Sequence, residues 1–83
     1  MALEIVNKYG FFVIKGNLDN QNAESFKKYF EYLLDFLESI SIDLECLESI
    51  VIFGVYALES IYRFALMRGK RVLLKGINLK QSL

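Results

Sequence analysis

Two aspartates follow short apolar runs and are the first residues to consider for chemistry. Asp19 comes after Gly16-Asn17-Leu18, and Asp43 follows Ile42 in an isoleucine-rich run. Two carboxylates held close together can serve as a general acid and a general base. The alternative is structural: Asp19 orients a loop, and Asp43 bonds backbone N–H groups where a strand ends.

The rest of the chain offers these carboxylates no chemical partner. Its 83 residues include no histidine, which is the commonest general base and transition-metal ligand. No glycine cluster lies near them in the sequence. We therefore predict that the protein is not an enzyme and has no catalytic residue, no metal site and no cofactor.

Two other segments carry residue types that are often reactive. Gly69-Lys70-Arg71 is not a phosphate-binding loop, because the glycine required five positions earlier is Phe64 and Arg71 stands where Ser or Thr is needed. Cys46 lies between Glu45 and Glu48, whose negative charges disfavour a reactive thiolate. A single cysteine also forbids an internal disulfide, which suits a reducing cytosol and predicts a cytoplasmic protein.

Composition bounds the class of protein. The chain is 54% hydrophobic and 14% aromatic, which is enough to fill one small core and too apolar for disorder. No basic stretch followed by an apolar one opens the chain, and no apolar run approaches the ~18–20 residues that span a bilayer. We expect one domain over residues 1–83, without a secretory signal and without direct membrane insertion.

Formal net charge is zero, but the charges are unevenly distributed. Residues 19–59 hold nine acids and two bases, whereas residues 60–83 hold six bases and no acid. Such polarity can steer a partner or favour self-association, and it also arises when bases gather at a helix C-terminus. Because the net charge is neutral and no reader motif is present, we predict no nucleic-acid binding.

Periodicity predicts the elements of the first half of the chain. Residues 3–6 and 11–14 are apolar runs separated by Asn7-Lys8-Tyr9-Gly10, which is typical of a hairpin. A helix over residues 22–38 places its apolar residues on one broad face and its charged residues on the other. Residues 40–44 indicate a central strand.

The second half repeats the order of helix and strand. Residues 54–68 form a second predicted helix with Gly69 at its C′ position. Residues 71–75 form a last strand, whose continuous Val72-Leu73-Leu74 indicates burial on both faces. Short helix–strand connections imply parallel pairing, so the sequence predicts an α/β domain with a mixed sheet of about four strands and helices packed on it.

The second helix has two predicted faces. Tyrosine and methionine are enriched at protein interfaces, so the face that holds them is a candidate binding surface. The predicted core side is Leu58, Ile61, Tyr62, Ala65 and Leu66, and the opposite face is Tyr56, Glu59, Ser60, Arg63 and Met67.

The order of these motifs resembles the STAS domain, the fold of bacterial anti-sigma factor antagonists. Residues 16–19, Gly-Asn-Leu-Asp, are similar to the family's Gly-x-Leu-Asp loop, and Ile42-Asp43-Leu44 to its aliphatic-Asp-Leu strand end. Gly54 and Leu58 match the start of the family's interaction helix, and Gly69-Lys70 with Leu73 match the turn and strand that follow. The resemblance covers most of the chain and implies a STAS-like sheet with packed helices.

The family's phosphorylation switch is missing from this sequence. Members commonly carry Asp-Ser-Ser-Gly before the interaction helix, with one serine phosphorylated, and the matching residues here are Val51, Ile52, Phe53 and Gly54. We predict no phosphorylation there, because Ile52 or Phe53 replaces the serine. Ser49 is the nearest other acceptor but lies on the wrong side of Ile50. The three apolar residues are either buried or form a permanently apolar binding loop.

The resemblance implies non-catalytic protein binding through the Ile50–Gly54 loop and the outer face of the second helix. The implied partner is an anti-sigma kinase-like protein or, for an accessory subunit of an ABC transporter, its ATPase; a homodimer is the third alternative. The family usually continues beyond the position of Leu83 into a further helix, and a dimer, partner or domain swap would cover the surface exposed without it. The predicted partner-binding residues are Asp19, Ile52, Phe53, Gly54, Tyr56, Ser60 and Met67.

Overall fold

The fold follows from a chain that alternates strands and helices with short connections. The computed structural model describes residues 2–76. The elements are β1 (Glu4–Lys8), β2 (Phe11–Leu18), α1 (Ala23–Leu33), β3 (Ser39–Asp43), β4 (Leu47–Ile50), α2 (Ile52–Met67) and β5 (Arg71–Lys75). The strands form one mixed sheet in the order β1-β2-β3-β5, with β4 paired to β2 off this path. The predicted α/β class is confirmed, with one strand more than expected.

The predicted hairpin joins β1 and β2. These strands pair antiparallel, with Glu4 opposite Lys15 and Lys8 opposite Phe11. Tyr9 and Gly10 both have positive φ, 54° and 87°. This backbone conformation is found in two-residue hairpin turns, whose twist matches that of the flanking strands. The Gly10 N–H donates to the Asn7 side chain at 3.1 Å.

Strand β2 is longer than predicted and has two parallel neighbours on one edge. Its first half pairs with β3, where Phe11 is opposite Ser41. Its second half pairs with β4, where Leu18 is opposite Ile50, after a register shift at Gly16/Asn17. The predicted loop over residues 16–19 is therefore mostly strand, because β4 gives these residues a pairing partner. Strand β4 was not predicted, because Leu47-Glu48-Ser49-Ile50 lacks the alternation of apolar and polar residues that marks a strand.

Both helices pack on the same face of the sheet. One cluster joins Phe12, Ile14 and Ile42 from the strands to Phe30 of α1 and Ile61 of α2. The ring of Phe12 meets that of Phe30 edge to face, with centroids 5.4 Å apart. Because side chains alternate along a strand, the neighbouring residues point to the other face, which no helix covers within residues 2–76.

Three predictions of burial were wrong. Tyr62 and Leu66 of α2 are exposed, and so is Leu73 of β5. Helix α2 contacts the sheet through a narrow face containing Gly54 and Ala65, so residues to the side of that face stay in solvent. Leu73 lies on the sheet face away from the helices, so β5 is buried on one side only.

The helix boundaries also differ from those predicted. Helix α1 ends at Leu33 instead of residue 38, because the backbone there forms hydrogen bonds between residues three apart. Asp35 N donates to Tyr32 O at 3.1 Å, and Phe36 N donates to Leu33 O at 3.0 Å. Helix α2 begins at Ile52, two residues before the predicted start.

The expectation that the family's further helix is missing after the position of Leu83 stays a prediction, and residues 77–83 lie outside the described residues. Of the helices in the described range, neither has the length and apolar character needed to cross a bilayer.

Candidate interaction surface

The junction of β4 and α2 is tied directly to the end of β2. Val51 has the extended backbone of a helix N-cap, with φ −95° and ψ 171°. Its N–H donates to the Leu18 carbonyl at 3.0 Å, and its own carbonyl accepts from Gly54 N at 2.8 Å. The predicted Ile50–Gly54 loop is therefore wrong: Ile50 ends a strand, Val51 is the cap, and residues 52–54 are helix. The junction is built from hydrogen-bonded backbone.

The apolar residues at this junction face solvent. Ile52 is 55% exposed, Phe53 54% and Tyr56 54%, and Val51 is exposed as well. The rings of Phe53 and Tyr56 meet edge to face, with centroids 6.4 Å apart. The alternative that these residues are buried is wrong. We call Val51, Ile52, Phe53 and Tyr56 the entry patch.

Gly54 allows the entry patch to lie close to the sheet. This glycine is buried, and a Cβ placed on it would come within 2.8 Å of both Leu18 Cγ and Ile50 Cγ1. Real Cβ atoms do not approach other carbons so closely, so only glycine permits this contact between α2 and the ends of β2 and β4. Gly54 was predicted to bind a partner, but it is covered by the core and acts by setting the position of its neighbours.

A groove runs beside the entry patch, between the starts of α1 and α2. Its volume is about 360 Å³. Phe53 and Tyr56 form one wall, and the first turns of α1 form the other. Charged side chains at its rim could contact polar groups of a partner while the aromatic wall takes an apolar one. The lining residues are Asn20, Ala23, Glu24, Lys27, Phe53, Tyr56, Ala57 and Ser60.

Asp19 orders the loop at one end of this groove. Its carboxylate accepts from the backbone N–H of Gln21 at 2.9 Å and of Asn22 at 3.1 Å. Asn22 in turn accepts from Asp19 N at 2.9 Å and donates to the Asn17 carbonyl at 2.9 Å. Asn17 also accepts from Ser49 Oγ at 2.7 Å. These bonds connect the start of α1 to β4, so the loop and the entry patch form one surface.

The two aspartates are not a catalytic pair. Asp43 is opposite Val13 in the sheet, whereas Asp19 follows Leu18, and five residues of strand span about 16 Å. The Asp43 carboxylate accepts from Glu45 N at 2.9 Å. The structural alternative is therefore confirmed for both carboxylates, each of which bonds nearby backbone N–H groups. Among the described residues, no three metal-ligating side chains come together.

The predicted binding residues do not all lie in one place. Asp19, Ile52, Phe53 and Tyr56 surround the start of α2, and Ser60 lines the groove. Met67 is 80% exposed but lies at the other end of α2, about 22 Å along the helix from Ile52 at ~1.5 Å per residue. The α1 side of the groove was missed, because the packing of two helices leaves no local signal in either one.

Much of the positive charge of the C-terminal third is paired with acids of the middle segment. Arg68 Nη1 lies 2.8 Å from Asp35 Oδ1, and its guanidinium lies 4.3 Å from the Phe64 ring centroid. Lys70 Nζ lies 3.5 Å from Glu38 Oε2. These pairs join the segment between α1 and β3 to the turn after α2, so the uneven charge distribution in the sequence partly reflects contacts within the fold.

The same arrangement of strands and helices is found in known structures. The anti-sigma factor antagonist SpoIIAA in its unphosphorylated form matches with a TM-score of 0.74 and 17% identity, over 98% of this chain and 78% of that one. An anti-sigma factor antagonist from Mycobacterium paratuberculosis matches with a TM-score of 0.67 and 18% identity, over 98% of this chain and 73% of that one. A protein named Mglu matches at 0.73 and 16% identity, over 90% of this chain but 19% of that one.

At these identities the structural matches establish a common fold. A search of curated protein sequences found no significant match. The family model of the STAS domain, in contrast, matches residues 1–80, which is nearly the whole chain. The match in sequence and the likeness in fold agree, and this chain belongs to the STAS domain family.

Proposed function

We propose that this STAS domain is a non-catalytic protein-binding module whose partner docks on the entry patch and the adjoining groove. The observation that carries the proposal is the exposure of Ile52, Phe53 and Tyr56 at a junction that is hydrogen-bonded to the end of β2. Exposed apolar residues on an ordered surface are a common mark of a protein interface. Two of the structural relatives are anti-sigma factor antagonists, which supports a regulatory partner.

Binding at this surface is independent of phosphorylation. SpoIIAA is described in its unphosphorylated form, whereas Val51, Ile52 and Phe53 offer no hydroxyl at the start of α2. A phosphate there would add about −1.5 to −2 charges beside an apolar contact and would weaken it. Without an acceptor at the position of the family's serine, that switch cannot act on the contact. The single exposed cysteine fits a reducing compartment, and we place the protein in the cytoplasm.

Two partner classes follow from the family: an anti-sigma kinase-like protein and the ATPase of an ABC transporter. The first is favoured, because antagonists of anti-sigma factors have the same fold over 98% of this chain. Purified candidates of both classes, chosen from genes adjacent to the one encoding this chain, are to be titrated against it. Saturable binding of the transporter ATPase, but not of the kinase-like protein, would make the ATPase the favoured partner class.

The proposed surface is tested by two substitutions, Ile52→Asp and Tyr56→Glu. Each places a charge in an apolar contact, so we expect at least a tenfold loss of affinity for the candidate that binds the unmodified chain, measured by calorimetry. Ile52→Asp is informative because an acid in the first turn of a helix is favourable for folding. A loss of binding by that variant therefore reflects the surface rather than the fold.

Tyr9→Glu is the matched control for Tyr56→Glu. Tyr9 is fully exposed at the tip of the hairpin, so the same change there should leave binding intact. If both entry-patch variants bind the partner as the unmodified chain does, the proposed surface is wrong. Incorporation of phosphate into the purified chain by its partner, detected by mass spectrometry, would contradict constant binding. Hydrolysis of a nucleoside triphosphate by the chain alone would contradict a non-catalytic role.

A further inference from the structure

Helix α2 has few charged residues for a helix with so much exposed surface. Of its 16 residues, only Glu59 and Arg63 are charged. Ile52, Tyr56 and Leu66 are each more than half exposed. The outer side of α1, in contrast, carries lysines and glutamates that pair with one another. A helix that is apolar around most of its circumference is normally covered by another element.

The exposed residues of α2 form one line along its outer side. Ile52, Tyr56, Glu59, Arg63 and Leu66 are separated by four, three, four and three residues. This spacing keeps side chains on a single face of a helix and is the spacing found between packed helices in coiled coils. All five are exposed, and the buried residues of α2 lie on the other side. We call these five residues the outer stripe.

The outer stripe is complementary to itself in one orientation. If two copies of α2 lie antiparallel about a two-fold axis level with residue 61, Glu59 of each copy faces Arg63 of the other, and Tyr56 faces Leu66. Such reciprocal pairing is the requirement for a symmetric contact between identical chains. Parallel packing would instead place Glu59 against Glu59 and Arg63 against Arg63, which is repulsive.

The two charges are available for this pairing. Neither Glu59 nor Arg63 forms an ion pair with any residue of the described range. By comparison, Arg68 and Lys70, just beyond α2, are each paired with an acid. Within residues 2–76, the charges after the helix are thus paired, whereas Glu59 and Arg63 in the middle of the outer stripe form no ion pair.

We propose that a second copy of this chain covers the outer stripe in an antiparallel α2–α2 homodimer. The contact is small, because a helix of this length extends about 24 Å. We therefore expect a reversible dimer with a dissociation constant on the order of 10–100 µM. Ile52 and Tyr56 also belong to the entry patch, so the dimer would occlude the partner surface; that consequence alone depends on the proposed function.

Charge reversal tests the dimer in the isolated chain, by sedimentation velocity over about 1 µM to 1 mM. Glu59→Arg and Arg63→Glu should each weaken the dimer at least tenfold. Each reversal gives both of the symmetric pairs between positions 59 and 63 two charges of the same sign. An equimolar mixture of these two variants should form a heterodimer with the affinity of the unmodified chain, since every facing pair is then of opposite sign. The double variant Glu59→Arg/Arg63→Glu should also dimerise normally.

Disulfide trapping tests the orientation. In a Cys46→Ser background, a Tyr56→Cys chain mixed with a Leu66→Cys chain should cross-link to each other in preference to themselves. A chain that stays monomeric up to about 1 mM would overturn the proposal. Single reversals that dimerise normally, or cross-links between identical positions, would overturn it as well. No partner protein is used, so a failed dimer and a failed partner site are separate results.

Discussion

Gly54 of α2 and Leu18 of β2 are in direct contact, so close that a Cβ on the glycine would lie 2.8 Å from Leu18 Cγ. Leu18 is fully buried, and it cannot withdraw without opening the core. The contact fixes how closely the first turn of α2 approaches the sheet. The direction in which Ile52 and Phe53 point thus depends on a residue with no side chain.

Replacement of Gly54 by alanine should destabilise the protein. The added methyl group must displace Leu18 or Ile50, and overpacking of this kind costs about 1–3 kcal/mol. Chemical denaturation should show this loss, although alanine at an unhindered helical position would stabilise the protein. Ser60→Ala, on the same helix, is the control and should change stability by less than about 0.5 kcal/mol. A Gly54→Ala protein as stable as the unmodified one would show that the contact is not tight.

A capping side chain at Val51 should stabilise the protein. The N-cap position has extended backbone, but valine makes no side-chain hydrogen bond to the first turn. Val51→Asp supplies an acceptor at the positive end of the helix and should add about 1 kcal/mol. In a domain of this size, that gain corresponds to a rise of about 4–8 °C in melting temperature. Val51→Ala, which supplies no acceptor, should show no such gain.

The Asp35–Arg68 pair should contribute modestly to stability. Both side chains are about half exposed, so solvent screening limits the coupling between them to about 0.2–1 kcal/mol in a double-mutant cycle with Asp35→Asn and Arg68→Gln. Arg68→Gln alone should cost more than Asp35→Asn, because the guanidinium also lies over the Phe64 ring. The coupling should fall in 1 M salt, where the Debye length is about 3 Å. Equal costs for the two single changes would argue against the ring contact.

Asp19 should act through the loop that it orders. Asp19→Ala removes the acceptor of two backbone N–H groups and should cost about 1–2 kcal/mol. Asp19→Asn keeps an acceptor oxygen, so its stability should stay near that of the unmodified chain. If Asp19→Asn nevertheless weakens partner binding, the charge itself contacts the partner. Unchanged binding by this variant would leave Asp19 with a structural role only.

Local signals in the sequence were sufficient for the outline of the fold. The Asn7-Lys8-Tyr9-Gly10 segment predicted the hairpin, and the spacing of apolar residues predicted both helices. The continuous run Val72-Leu73-Leu74 predicted the strand at 71–75. Strand β4 was missed because its pairing with β2 depends on residues about thirty positions away and its own burial does not alternate. The groove was missed for the same reason, since it exists only where α1 meets α2.

The faces of α2 could not be read reliably from periodicity. An apolar residue such as Tyr62 or Leu66 lies at the border of the buried face of the helix. Whether it is buried depends on how far the neighbouring elements extend over that border. Small residues at Gly54, Ala57 and Ala65 bring the helix onto the sheet along a narrow line, and that detail is decided by packing. This packing leaves Leu66 exposed at one end of the outer stripe.

The hydrogen bond from Val51 N to the Leu18 carbonyl also has a consequence for folding. It closes a loop of more than thirty residues, and contacts so distant in sequence form slowly and require most of the chain. We therefore expect the entry patch to reach its final position only when β2, β4 and α2 have come together, even if α2 itself is helical earlier. A partner that binds this patch would recognise finished molecules and ignore nascent ones, so that binding would also serve as a check on folding.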